Sequence, residues 1–182
     1  MSWHHYKKEK LKRLENAIKD KETDEGIHNL LFKINSNESL VTLSSCYGRI
    51  VLLEFDIHES KKTAEFYKNW HRKIGADELE NAIANYTGRL PMWFKTEPFI
   101  LHVAAENLDS ATDFLKKIRG LGIKRGGIQT IDDEKAVMEI RGHGTIVIPL
   151  DSARLDYEKM TSISNEMFEK NERIVKKLET TL

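Results

Sequence analysis

The chain has 182 residues, 40% hydrophobic and 32% charged, a balance that excludes a disordered polymer and a membrane protein and suits one domain with a sizeable core. Lys plus Arg and Asp plus Glu both number 29, so the zero net charge excludes a uniformly basic nucleic-acid binder and directs attention to local asymmetry. No apolar run approaches the roughly 20 residues of a bilayer span, no signal-peptide core follows Met1, and a single cysteine allows neither an internal disulfide nor a multi-thiolate zinc site. A cytoplasmic protein is expected, with no membrane partner and no metal, since the seven histidines lack ligand-like spacing.

Leu11, Leu14 and Ile18 recur at helical spacing, as do Ile27, Leu30, Leu31 and Ile34, which predicts two helices within residues 3–35. Residues 41–45 and 50–55 read as two strands joined by a hairpin connection. Residues 64–73 suit a helix through Phe66, Tyr67 and Trp70, or a strand through Ala64, Phe66 and Trp70 on one parity. Leu79, Ala82, Ile83 and Tyr86 form a helical stripe ended by Gly88, and residues 92–94 and 99–104 are strand-like. Asn107 caps a helix carrying Ala111, Phe114, Leu115 and Ile118, which Gly120 and Gly122 end. Strands are predicted over 128–131, 136–141 and 145–150, then a helix over 155–178 with Met160, Ile163, Met167, Ile174 and Leu178 on one side. Strands and helices do not alternate as a doubly wound sheet requires, so the fold class is α+β, one domain with a sheet-forming core over 40–150.

The connection Thr42-Leu43-Ser44-Ser45-Cys46-Tyr47-Gly48-Arg49 is richer than a turn requires, since a plain hairpin is served by Asn-Gly or Asp-Gly. Hydroxyls that donate and accept, a glycine that admits a ligand near the backbone and a planar guanidinium together make an anion-binding or catalytic cradle. The competing reading is local: serines that satisfy nearby backbone groups, a small buried Cys46 and a positive φ at Gly48. Between Phe114 and Ile131 stand Lys116, Lys117, Arg119, Lys124 and Arg125 with no acid, either a phosphate-tracking stripe or a solvated face. No G-x-G-x-x-G follows a first strand, so a Rossmann nucleotide or methyl-donor site is not supported. G-x-x-x-x-G-K-[ST], H-E-x-x-H and G-x-S-x-G are likewise absent.

Residues 42–49 resemble the S-x-S-S-C-x-G-R signature of the tRNA wybutosine-synthesizing protein 3 family, with Thr42 for the first serine. Lys95-Thr96-Glu97-Pro98-Phe99-Ile100-Leu101-His102-Val103 resembles that family's K-x-E-P-F-x-L-H-V. Gly122 to Ile128 resembles G-F-x-x-S-G-I, and Ile140-Arg141-Gly142 resembles I/V-R-S, with Gly126 and Gly142 where the family usually has serine. The Thr23-Asp24-Glu25 stretch and the His71-Arg72 pair also resemble family positions. The resemblance favours a strand at 64–73. It implies a duplicated αβ unit whose strands curl into one barrel-like, mostly antiparallel sheet with flanking helices, not a Rossmann methyltransferase. Glycine turns before Ile50-Val51 and before Ile146-Val147 form an internal echo consistent with duplication.

The same resemblance implies transfer of a methyl group from S-adenosylmethionine to ring nitrogen N-4 of the aminocarboxypropyl-bearing demethylwyosine base at position 37 of tRNA-Phe, in the anticodon stem-loop. A sulfonium methyl is already electrophilic, so the protein must align it, exclude water and remove a proton. On this reading Ser45, Arg49 and His102 are catalytic; Ser44, Gly48 and Arg49 bind the methyl donor; Lys95, Trp93, Lys124 and Arg125 contact RNA. Arg49 is suited to a carboxylate, and histidine, with an ordinary pKa near 6.5, to a proton. His102 shares its strand parity with Ile100 and Ala104, so a core histidine is the competing reading, as core is for Trp93. Two other classes stand beside the methyltransferase: a non-catalytic tRNA-binding module, and a small-molecule hydrolase using Ser45 or Cys46 with His102.

Overall fold

The computed structural model describes residues 2–56, 58, 64–132, 134–151 and 154–182. The elements run α1 (Trp3–Lys19), a 3₁₀ turn (Glu25–Ile27), α2 (His28–Asn35), β1 (Leu40–Cys46), β2 (Arg49–Glu54), β3 (Glu65–Trp70), α3 (Ala76–Ala84), β4 (Met92–Glu97), β5 (Ile100–Ala105), α4 (Leu108–Gly120), β6 (Gly126–Ile131), β7 (Ala136–Arg141), β8 (Ile146–Pro149) and α5 (Tyr157–Thr181). The α+β class holds, and residues 64–73 contain a strand. The single barrel-like sheet expected from the resemblance is replaced, among the described residues, by two four-stranded sheets, ordered β1-β5-β7-β6 and β3-β2-β4-β8. Every ladder in them is antiparallel.

The chain forms two compact units: Met1–Tyr47 with Phe99–His143 and Asn171–Leu182, and Gly48–Pro98 with Gly144–Lys170. The hairpin expectation for 41–55 therefore fails: β1 pairs with β5 in the first unit and β2 pairs with β3 and β4 in the second. A period-2 pattern identifies a strand without naming its neighbour. The chain passes from first unit to second through a glycine each time it leaves a strand, Gly48 at φ 111° and Gly144 at φ 89°, conformations that side chains with a Cβ rarely adopt.

In the first unit, Leu101, Val103 and Ala105 of β5 and Met138 and Ile140 of β7 turn one sheet face onto α2 and α4, whose Leu30, Leu31, Phe114 and Ile118 complete a buried core. Alternation along β5 and β7 thus places His102 and Glu139 on the other face. Asn107 caps α4 by accepting from Ser110 N at 2.9 Å, and Gly122 at φ 93° follows its end, as the sequence predicts. Lys7 Nζ donates to the carbonyls of Asn35 (3.0 Å) and Asn37 (2.5 Å), supplying partners where α2 runs out of its own. Buried Asn171 of α5 accepts from Phe99 N at 2.7 Å and donates to Tyr47 O at 2.5 Å, while Gly142 N donates to Phe99 O at 2.9 Å. One side chain therefore ties down the C-terminal end of β1 and the start of β5.

In the second unit, Ile50 and Leu52 of β2 and Met92 and Phe94 of β4 face a core with Leu79 and Met160. Asn165 brackets Ile74, accepting from its N–H (3.1 Å) and donating to its carbonyl (2.8 Å), and buried Thr96 donates to Ser164 at 2.7 Å. The opposite parity, Arg49, buried Val51 and Leu53 on β2 with Trp93, Lys95 and Glu97 on β4, lies on the sheet face turned away from this core.

Candidate active site

The first unit carries a row of polar groups across three strands. Register pairs Ser44 with His102, His102 with Glu139, and Glu139 with Gly127. Ser44 Oγ lies 2.9 Å from His102 Nδ1, and His102 Nε2 lies 3.3 Å from Glu139 Oε2. With Nε2 protonated toward the carboxylate, Nδ1 accepts the Ser44 hydroxyl hydrogen, and the serine oxygen keeps lone pairs for a further proton. The imidazole side chain is 32% exposed, so the core reading of His102 is corrected: the apolar face of β5 is the Leu101 parity. Glu139 was not singled out by sequence, since only the strand register brings it to the histidine.

Ser45 points to the other parity from Ser44, opposite Leu101, so the hydroxyl held by His102 belongs to Ser44. Both serines line a cleft of ≈ 380 Å³ whose other walls include Lys10, Arg13 and Thr23. Helix α1 contains Lys7, Lys8, Lys10, Lys12, Arg13 and Lys19 against Glu9 and Glu15, an excess of positive charge that the reading of residues 114–131 overlooked. Asp24, in a stretch the resemblance singled out, accepts from Tyr47 N at 2.7 Å, and Thr23 Oγ1 meets His28 Nε2 at 2.7 Å. Lys124 and Arg125 are exposed in the turn between α4 and β6, while Arg125 O accepts from Arg141 N at 2.9 Å. A Cβ on Gly126 would meet Glu139 O at 2.7 Å, so a serine there would force the β6–β7 ladder to shift.

Arg49, Trp93 and Lys95 lie in the second unit, around a cleft of ≈ 620 Å³ on the outer face of its sheet. Register sets Arg49 opposite Glu97, Leu53 opposite Trp93, and Lys95 opposite Val147. Arg49 Nε donates to Glu97 Oε2 at 2.7 Å, and Lys95 Nζ donates to Glu97 Oε1 at 2.7 Å. The Arg49 guanidinium also lies over the Phe66 ring, 4.5 Å from its centroid. Burial pushes the Glu97 carboxyl up, but hydrogen bonds from Lys95 and Arg49 outweigh it and hold the group below the usual carboxylate range. Trp93 is half-buried and donates Nε1–H to Phe55 O at 2.9 Å, so it lines this cleft while Met92 and Phe94 fill the core. Glu97 sat within a matched block without being given a role; the ladder that sets it opposite Arg49 supplies one.

A family model described as Methyltransferase TYW3 matches residues 5–182. A Pyrococcus furiosus protein named tRNA(Phe) 7-((3-amino-3-carboxypropyl)-4-demethylwyosine(37)-N(4))-methyltransferase 1 is 33% identical over 187 residues, covering 97% of this chain and 92% of the relative. The Pyrococcus abyssi protein of the same name is 34% identical over 184 residues, covering 95% of this chain and 92% of the relative. A solved structure of the PH1069 protein from Pyrococcus horikoshii is similar with a TM-score of 0.89 at 31% identity, covering 98% of this chain and 95% of that one.

Proposed function

This chain belongs to the TYW3 methyltransferase family, and from that premise we propose that it methylates ring nitrogen N-4 of the 7-(3-amino-3-carboxypropyl)-4-demethylwyosine base at position 37 of tRNA-Phe, reached in the anticodon stem-loop. The observation that carries the reading is the Ser44–His102–Glu139 row. Methylating an N–H nitrogen forms an N–C bond and releases a proton, and this row is built to take one. Ser44 Oγ accepts it as its own hydrogen passes to His102 Nδ1, and Glu139 stabilises the resulting imidazolium. The proton acceptor is thus assigned to Ser44 with His102, and Ser45 becomes a positioning hydroxyl.

S-adenosylmethionine, when bound, supplies an electrophilic sulfonium methyl, so no covalent enzyme intermediate is needed and Cys46 requires no nucleophilic role. Among the residues present, Arg49 fits such a donor with a guanidinium fork for a carboxylate, in a cleft lined wholly by the second unit. Lys124 and Arg125 contact the RNA backbone, joined by Lys10 and Arg13 of α1, while Trp93 and Lys95 line the same second-unit cleft as Arg49. The antiparallel sheets and the two glycine exits support a non-Rossmann, duplicated ancestry. A tRNA substrate makes the cytoplasm the expected compartment. Incubation with methyl-labelled S-adenosylmethionine and tRNA-Phe from cells arrested before this step tests the reading: label enters the purified base, and absence of transfer under conditions where the tRNA binds would overturn it.

A further inference from the structure

The cleft on the outer sheet face of the second unit combines two features that the sequence kept apart. Its floor is aromatic and apolar, with Trp93 half-buried, and with Phe66 and Val147 each 51% exposed although both are large hydrophobics. At its rim two cations share one carboxylate: Arg49 and Lys95 each donate to a different oxygen of Glu97, and their side chains are 27% and 23% exposed. Among the described residues Glu97 is the one hydrogen-bond partner of the Arg49 side chain, engaged through Nε, and a guanidinium carries four further N–H donors. A trio of two cations and one anion has a net positive charge and one anionic acceptor. That pattern suits a ligand with a carboxylate and an ammonium on neighbouring atoms.

We infer that this cleft is a recognition site for an α-amino-acid zwitterion carried on a planar ring system, with Arg49 and Lys95 taking the carboxylate, Glu97 the ammonium, and Phe66 and Trp93 the ring. The inference rests on the methyltransferase reading, because both molecules that reading brings to the protein have this chemistry. The base named for the relatives bears a 3-amino-3-carboxypropyl arm, and S-adenosylmethionine bears the same arm on its sulfur beside adenine. Arg49 supplies a planar fork for the carboxylate and remains stacked on Phe66. Glu97 exchanges part of its contact with the two cations for the incoming ammonium, so no charge is left unpaired.

Titration calorimetry, together with Trp93 fluorescence in a Trp3→Phe, Trp70→Phe background, tests this with two ligand pairs. One pair is S-adenosylhomocysteine and 5′-methylthioadenosine, which lacks the amino-acid portion. The other is the tricyclic nucleoside with and without its aminocarboxypropyl arm. In one pair the arm-bearing ligand is expected to bind at least about tenfold tighter, and that pair identifies which of the two molecules the cleft holds. Glu97→Gln should shrink the preference to within about twofold, and Phe66→Ala, at a half-exposed position, should weaken both members of that pair alike. Equal binding within both pairs, or a preference that survives Glu97→Gln, would overturn the inference. Methyl transfer by the wild type without arm preference would remove the zwitterion site and leave the activity; arm preference without transfer would leave the site and remove the activity.

Discussion

Arg49 holds Glu97 through Nε while its guanidinium plane covers Phe66. A lysine ammonium is a point charge on a flexible stem and cannot reproduce the fork and the stack together. Arg49→Lys should therefore lower methyl transfer by at least about tenfold while shifting the thermal midpoint by only a few degrees, because the exchange lies on an outer sheet face. Unchanged turnover would remove Arg49 from the site. Glu97 gives a prediction about pH. Its carboxyl is held below the ordinary range by Lys95 and Arg49, so its contribution is present above the unfolded carboxylate pKa of about 4.3 and is lost as pH falls through the folded value. Urea midpoints measured from pH 6 down to pH 3 should fall less steeply for Glu97→Gln than for the wild type, and parallel slopes would contradict the assignment.

Among the elements, α5 shows how one helix fixes the ends of strands. Asn171 satisfies Phe99 N and Tyr47 O at once, both beside points where the chain passes between units. Asn171→Leu keeps the forked outline of the side chain and leaves both backbone groups without that partner, a loss of about 2–4 kcal/mol read as a lower urea midpoint; a change under about 0.5 kcal/mol would show that the bridge contributes nothing. Sequence made many elements legible because their signals are local: the Asn107 cap and Gly122 after α4 lie where expected, whereas α3 carries Leu79, Ala82 and Ile83 but ends at Ala84, short of the predicted Tyr86 and Gly88. Pairing was not legible. The two apolar runs flanking Ser44 to Arg49 look like one hairpin, yet β1 joins β5 and β2 joins β4. The same limit hid the contact of Ser44 with His102 and that of Arg49 with Glu97, since cross-strand partners 58 and 48 residues apart leave no local trace.

For the molecule as a whole, connectivity interleaves the two units: the chain passes between them after Tyr47, Pro98, His143 and Lys170. Neither unit is a contiguous segment, and α5 contributes to both cores. We propose that they unfold as one domain. Far-ultraviolet dichroism and tryptophan fluorescence should then report the same urea midpoint, and two separated midpoints would contradict this. Each unit carries one candidate feature, a hydroxyl–imidazole–carboxylate row in the first and a cation-rimmed aromatic cleft in the second. The most direct test is nucleoside mass spectrometry of tRNA-Phe after incubation with the protein and S-adenosylmethionine. The account predicts one added methyl on ring nitrogen N-4 of the modified base at position 37; a methyl on the side-arm carboxylate, on another nucleoside, or nowhere would contradict it.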